Sequence, residues 1–132
     1  NIIFTEKEEV GRVGVRKLID NHLDLLIDIT KESPYLMGLD RKGFNEVLFY
    51  GCGNKEFINF LINEYHLDYN VGSFSDVSNL GPSLNKAICN ISVCYYNAHS
   101  ENEYVNLKKL EFMINKIEGM VKDCNSINNY SY

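Results

Sequence analysis

Two adjacent glutamates, Glu8 and Glu9, are the side chains of this sequence that most clearly suggest chemistry. They follow the apolar stretch 2–5, and neighbouring carboxylates repel each other unless water or a cation lies between them. A divalent cation would let one glutamate bind the ion while the other accepts a proton. The ordinary alternative is an exposed helix start, where the helix dipole stabilises acidic residues.

Further ligand types follow segments that predict strands. Asp28 lies near the end of the apolar stretch 23–30, and His99 follows the long β-branched stretch 86–96. Ligands of open α/β sheets collect at the carboxyl ends of strands, and carboxylate with imidazole suits zinc or a similar divalent ion. The sequence therefore predicts one metal-binding cluster from these strand ends: Glu8, Glu9, Asp28 and His99.

Both Asp28 and His99 also have a purely structural interpretation. Asp28 interrupts an apolar run, where a carboxylate needs a partner and can be a satisfied core or turn residue. His99 precedes the polar segment "SENEYV", which is typical of a loop. The pattern alone leaves these alternatives open.

Strands and helices alternate along the chain. Apolar runs predict strands, and apolar residues recurring every three or four positions predict helices. In the helix predicted over 107–121, Leu107, Leu110, Ile114, Ile117 and Val121 form one apolar stripe. This alternation predicts an α/β fold, a three-layer α/β/α sandwich around a mixed, largely parallel sheet. The predicted strands are 2–5, 23–30, 46–50, 68–71 and 86–96, and the other predicted helices are 11–21 and 55–65.

Composition narrows the functional classes. The 132 residues carry a net charge of −5 with no basic run, which argues against nucleic acid as a partner. No apolar run approaches the roughly 18 residues of a membrane span, and no secretion leader is visible. Four irregularly spaced cysteines predict free thiols in a reducing cytoplasm.

Four segments, in this order, resemble the co-catalytic zinc exopeptidases, the aminopeptidases and related hydrolases with a phosphorylase/hydrolase-like α/β/α domain. The resemblance covers residues 2–122. The short separation between Asp28 and Asp76 is similar to that of the branches without an inserted lid domain. The segments are "FTEKEEVGRVG", "LLIDIT", "GSFSDVSNL" and "ISVCYYNAHSENEYVNLKKLE".

The resemblance implies roles for individual residues. Glu8 matches the general base, and Glu9 and His99 match ligands of one zinc ion. Asp28 matches a ligand of the second zinc, and Asp76 matches a loop residue near the site. The implied activity is hydrolysis of peptide N-termini through a water molecule held by two divalent ions, with a peptide as the substrate.

The family also has a His and a bridging Asp before the "EEVG" segment, and these 132 residues contain no counterpart. Residues 1–123 are therefore expected to be the C-terminal part of such a domain, and residues 124–132 a flexible tail. The expected partner is a missing N-terminal segment or a second copy of the chain.

Two other functions stay open at this stage. One is a non-catalytic remnant or assembly module that retains the peptidase fold. The other is a thiol enzyme using Cys52 in "YGCGN", where a following helix N-terminus would lower the thiol pKa.

Overall fold

The computed structural model describes residues 1–6, 11–72, 75–123 and 130–131. Within these ranges the chain forms four helices and six strands, with strands between each pair of successive helices. They are α1 Val13–Thr30, β1 Leu36–Arg41, β2 Glu46–Leu48, α2 Lys55–Tyr65, β3 Asp68–Tyr69, α3 Val77–Leu84, β4 Ile88–Ser92, β5 Tyr95–Tyr96, β6 Tyr104–Val105 and α4 Leu107–Asp123.

The main sheet has four strands in the order β1-β4-β2-β3. Strand β4 runs parallel to β1 and antiparallel to β2, while β2 runs parallel to β3. The register pairs Leu36 with Ile88 and Gly38 with Asn90. Strands β5 and β6 form a separate antiparallel pair. The predicted α/β fold with a mixed, mainly parallel sheet is confirmed.

Helices cover both faces of this sheet, so every residue of β4 is buried. Ile88 packs with Val77 of α3 on one face, and α1 lies against α3 on the same side. Ile91 belongs to the cluster on the other face, with Phe57 of α2 and Met113 of α4. Burial on two faces explains why β4 reads as a continuous apolar run in the sequence. The three layers are therefore α1 and α3, the sheet, and α2 and α4.

The strand predicted over 23–30 is wrong, because these residues form the second part of α1. The helix continues past a kink at His22, where φ is −140° and ψ is 28°. Leu26 and Thr30, four positions apart, are buried on one helical face, and the Thr30 hydroxyl donates to the Leu26 carbonyl. The burial of residues at helical spacing thus outweighs the strand-like composition of this run.

The strand predicted over 2–5 is also wrong. These residues form no strand, and the side chains of Ile2 and Phe4 are 83% and 92% exposed. No neighbouring strand among the described residues supplies the backbone partners that this apolar segment would need.

A strand that the sequence analysis missed is β1, which lies between the predicted strands 23–30 and 46–50. It contains Gly38, whose missing side chain leaves space that Val77 and Asn90 occupy. A Cβ at this position would lie 2.8 Å from Val77 Cγ1. Parallel pairing with the buried β4 stabilises this strand despite its weak strand propensity.

Helix α4 is confirmed, but its predicted apolar stripe is only partly buried, with Leu110 packed against the core. Met113 and Met120 are fully buried, whereas Leu107, Ile114 and Val121 are 74%, 47% and 54% exposed. Unbranched methionine fits irregular gaps in a core, so two residues seven positions apart can hold this helix.

Part of the expected tail packs on the core. The Tyr130 backbone N–H donates to the Pro34 carbonyl at 2.8 Å, and its carbonyl accepts from the Ala87 N–H at 3.0 Å. Its ring centroid lies 5.3 Å from that of Phe57. Residues 124–129 and 132 lie outside the described residues. Among the described helices, none combines the length and apolarity needed to cross a bilayer.

Candidate functional site

Asn90 lies at the centre of a polar cluster at the carboxyl end of β1. Its side chain is almost fully buried, and its Oδ1 atom accepts a 3.1 Å hydrogen bond from the Asp40 backbone N–H. Its Nδ2 atom donates to Ser75 Oγ at 3.2 Å. Asn90 therefore connects the end of β1 with the residues that precede α3.

Asp76, which follows Ser75 in the chain, is 9% exposed. Its Oδ2 atom accepts a hydrogen bond from the Thr5 hydroxyl. Its Oδ1 atom is buried and has no hydrogen-bond partner among the described residues. A buried carboxylate oxygen without a donor is costly, and a cation would satisfy it.

Described residues on either side of the glutamate pair in the sequence contact the start of α3. Thr5, three positions before Glu8, donates to Asp76, and Arg12, three positions after Glu9, donates from Nη1 to Ser78 Oγ at 2.7 Å. Glu8 and Glu9 themselves lie outside the described residues. Thr5 and Arg12 lie beside the start of α3.

A backbone hydrogen bond joins Glu6 to the first turn of α1. The Gly14 N–H donates to the Glu6 carbonyl at 3.1 Å, and a Cβ at Gly14 would collide with this carbonyl oxygen. Gly14, the second glycine of "GRVG", therefore permits this close approach because it has no Cβ.

Asp28 does not lie at a strand end, which corrects the reason for choosing it as a ligand. It lies in α1 with 69% of its side chain exposed, and its Oδ1 atom is 2.9 Å from Lys31 Nζ. Asp40, which is also exposed, is the last residue but one of β1, the strand beside β4. The signal for Asp40 was the apolar segment "YLMGL" directly before it.

His99 follows β5 in an exposed turn. Its φ angle is 61°, and its backbone N–H donates to Glu103 Oε2 at 2.9 Å. Four residues earlier, the Tyr95 hydroxyl donates to the Asp40 carbonyl at 3.1 Å. This contact brings the chain that leads to His99 to the same edge of the sheet as Asp40.

The four predicted ligands do not form one complete cluster within the described ranges. No group of three His, Cys, Asp or Glu side chains suited to a metal ion occurs in residues 1–6, 11–72, 75–123 and 130–131. Because Glu8 and Glu9 fall outside these ranges, the predicted set stays a prediction.

A surface cavity of about 390 Å³ lies beside this cluster. Its wall consists of residues 41–43, Glu46 and residues 95–98. Two of its wall residues, Arg41 and Ala98, are the chain neighbours of Asp40 and His99. Arg41 Nε, which is buried, lies 3.8 Å from Glu46 Oε2, too far for a hydrogen bond.

Cys52 does not have the properties of an activated thiol. Its side chain is 2% exposed, and its sulfur lies 3.7 Å from the Val77 carbonyl oxygen. Burial raises the pKa of the Cys52 thiol. The lowered pKa expected for a thiol nucleophile at this helix start is wrong, which removes support for the thiol-enzyme alternative.

No family model, curated protein or solved structure matches this chain.

Proposed function

We propose that this chain supplies part of a divalent-metal site that hydrolyses peptides from the N-terminus. The observation that carries the proposal is a convergence at one edge of the sheet. Asp40 lies at the end of β1, the Asp76 carboxylate is buried nearby, and both flanks of the Glu8–Glu9 segment are bonded to the start of α3. The resemblance to zinc exopeptidases gives this geometry a reaction.

The donor set fits a hard or borderline divalent cation. Glu9 and His99 would hold one ion, and Asp40 replaces Asp28 as the proposed ligand of a second ion. Asp76 supports the fit, because its buried Oδ1 atom has no donor among the described side chains. Carboxylate oxygens and imidazole are ligands that zinc accepts.

The chain's own residues then have defined tasks. A divalent ion supplies a Lewis acid that acidifies water and polarises a carbonyl group. Glu8 accepts the proton of the attacking water and passes it to the leaving amine. Asn90 fixes the backbone of Asp40 at the strand end. Glu8 must stay unligated to act as a base, which gives two adjacent glutamates two different roles.

The proposed substrate is a peptide, and the resemblance implies that another His and Asp complete the site. We therefore expect these 132 residues alone to bind metal weakly and to hydrolyse no peptide. The described cysteines are free thiols, which supports a reducing compartment such as the cytoplasm.

Zinc titration by calorimetry tests the proposal. We expect the chain to bind zinc, Glu9→Gln to weaken binding at least about tenfold, and Glu8→Gln to retain it. Glu101→Gln, on the exposed turn after His99, is the matched control. In the complete protein, Glu8→Gln should abolish hydrolysis of an N-terminal amide substrate while zinc content is unchanged.

Absence of zinc binding, or equal loss in Glu8→Gln and Glu9→Gln, would contradict the proposed roles. The first of these results would favour the non-catalytic assembly module.

A further inference from the structure

We infer that the cavity between Asp40 and His99 is the subsite for the substrate's N-terminal side chain, and that this subsite prefers glutamate or aspartate. The inference rests on the proposed peptidase function, because that function identifies the ligand as a peptide. The chemical preference comes from the cavity itself.

The position of the cavity follows from the order of residues in its wall. Arg41 is the neighbour of Asp40, and Ala98 is the neighbour of His99, and both line the cavity. The Tyr95 hydroxyl bonds to the Asp40 carbonyl and so fixes one wall against the other. A peptide whose scissile bond lies between Asp40 and His99 would therefore reach the cavity with an adjacent side chain.

The volume has room for an amino-acid side chain. About 390 Å³ is near the lower end of the range for ligand pockets, roughly 300–1,000 Å³. The charged side chains in its wall, Arg41, Lys42 and Glu46, favour a side chain with a charged or hydrogen-bonding end.

The charges in the wall select the sign of that end. Arg41 and Lys42 contribute two cations, and Glu46 contributes one anion. Arg41 is 26% exposed, and its buried Nε has no hydrogen-bond partner among the described residues. A substrate carboxylate could accept from this guanidinium, which is the geometry that arginine offers to carboxylates.

Other side chains fit this wall less well. A lysine or arginine side chain would enter beside two cations, and only Glu46 would attract it. A leucine side chain would offer the Arg41 guanidinium no hydrogen-bond acceptor. Glu46 competes with an acidic ligand for Arg41, so its neutralisation should strengthen the preference.

Dipeptide binding to the metal-free chain tests the preference separately from the peptidase function. The probes are glutamyl-glycine, leucyl-glycine and lysyl-glycine, titrated in EDTA and followed by NMR shifts of the backbone amides of Lys42 and Tyr96. All three share the same backbone and terminal charges, so their affinity ratios isolate the side chain. We expect glutamyl-glycine to bind at least about fivefold more tightly than either of the others.

Two volume-matched variants make the test directional. Arg41→Gln should reduce the ratio to near one, and Glu46→Gln should raise it at least about twofold, a gain that loss of folding cannot imitate. Lys122→Gln, on the exposed end of α4, should leave the ratio unchanged.

Equal affinities for the three dipeptides, or an unchanged ratio in Glu46→Gln, would overturn the subsite. Zinc binding with equal dipeptide affinities would overturn the subsite and leave the proposed function standing. Selective dipeptide binding without zinc binding would overturn the proposed function and support the subsite. The cavity would then be an acidic-ligand pocket on a chain that is not a metallopeptidase.

Discussion

The backbone N–H of Asp40 and the side-chain oxygen of Asn90 form a 3.1 Å hydrogen bond across neighbouring parallel strands. The Nδ2 group of the same Asn90 side chain donates to Ser75 Oγ. One buried side chain therefore contacts both the end of β1 and the residue before Asp76. The backbone of Asp40 and the side chain of Ser75 are therefore connected through one buried residue.

We predict that Asn90→Ala lowers the free energy of unfolding by about 1–3 kcal/mol, because it leaves two buried polar groups without their partner. Urea denaturation followed by circular dichroism measures the change. Asn115→Ala, at an exposed position of α4, is the control and should stay within about 0.5 kcal/mol of the wild type. Equal stability of the two variants would contradict the network.

Two helical glycines should respond to alanine with opposite signs. At Gly81 a Cβ would lie 2.8 Å from Cys52 Cβ and 3.2 Å from Ile88 Cγ2, so Gly81→Ala should destabilise by about 1–3 kcal/mol. At Gly119 the nearest atom is Tyr65 Cε1 at 3.9 Å, so Gly119→Ala should stabilise by about 0.5–1 kcal/mol. Thermal melting of both variants decides, and a gain in melting temperature for Gly81→Ala would show that α3 lies further from β4.

Burial also predicts an alkaline loss of stability. Cys89 is fully buried, and burial raises the pKa of its thiol far above the ordinary value. Because the unfolded thiol ionises first, the stabilising effect is complete below its ordinary pKa of about 8.5 and declines as pH rises beyond it. Unfolding free energies between pH 7 and 10 should fall less steeply in Cys89→Ala than in the wild type. Parallel pH profiles for the two proteins would contradict this assignment.

Local signals in the sequence predicted several elements correctly. The helix predicted over 55–65 forms as α2, and the Asn54 side chain caps its start by accepting from the Phe57 N–H at 2.9 Å. The apolar stretch 86–96 contains the buried β4, although the chain breaks into a second strand, β5, at Tyr95. These signals depend on near neighbours, which the sequence displays directly.

Long-range packing decided the elements that the sequence did not reveal. The run 23–30 has strand-like composition, yet it buries Leu26 and Thr30 as a helix against the rest of the fold. In α4 the choice between the leucine-rich stripe and the methionine face depends on which neighbours are present, and Met113 and Met120 are the buried ones.

The candidate site shows the same division. Residue type alone identified Glu8 and Glu9 as chemically notable, and the order of motifs suggested His99. The role of Asp40 required the register of β1 against β4, and the buried Asp76 oxygen required the fold around α3. Neither relation has a signature within a few neighbouring residues.

The central claim of the proposed function is that Asp40, and not Asp28, is a ligand of the proposed metal site. Zinc dissociation constants of the wild type, Asp40→Asn and Asp28→Asn, measured by calorimetry under identical conditions, test it most directly. The account predicts at least about tenfold weaker binding in Asp40→Asn and unchanged binding in Asp28→Asn, whose exposed carboxylate pairs with Lys31. Weaker binding in Asp28→Asn together with unchanged binding in Asp40→Asn would contradict it.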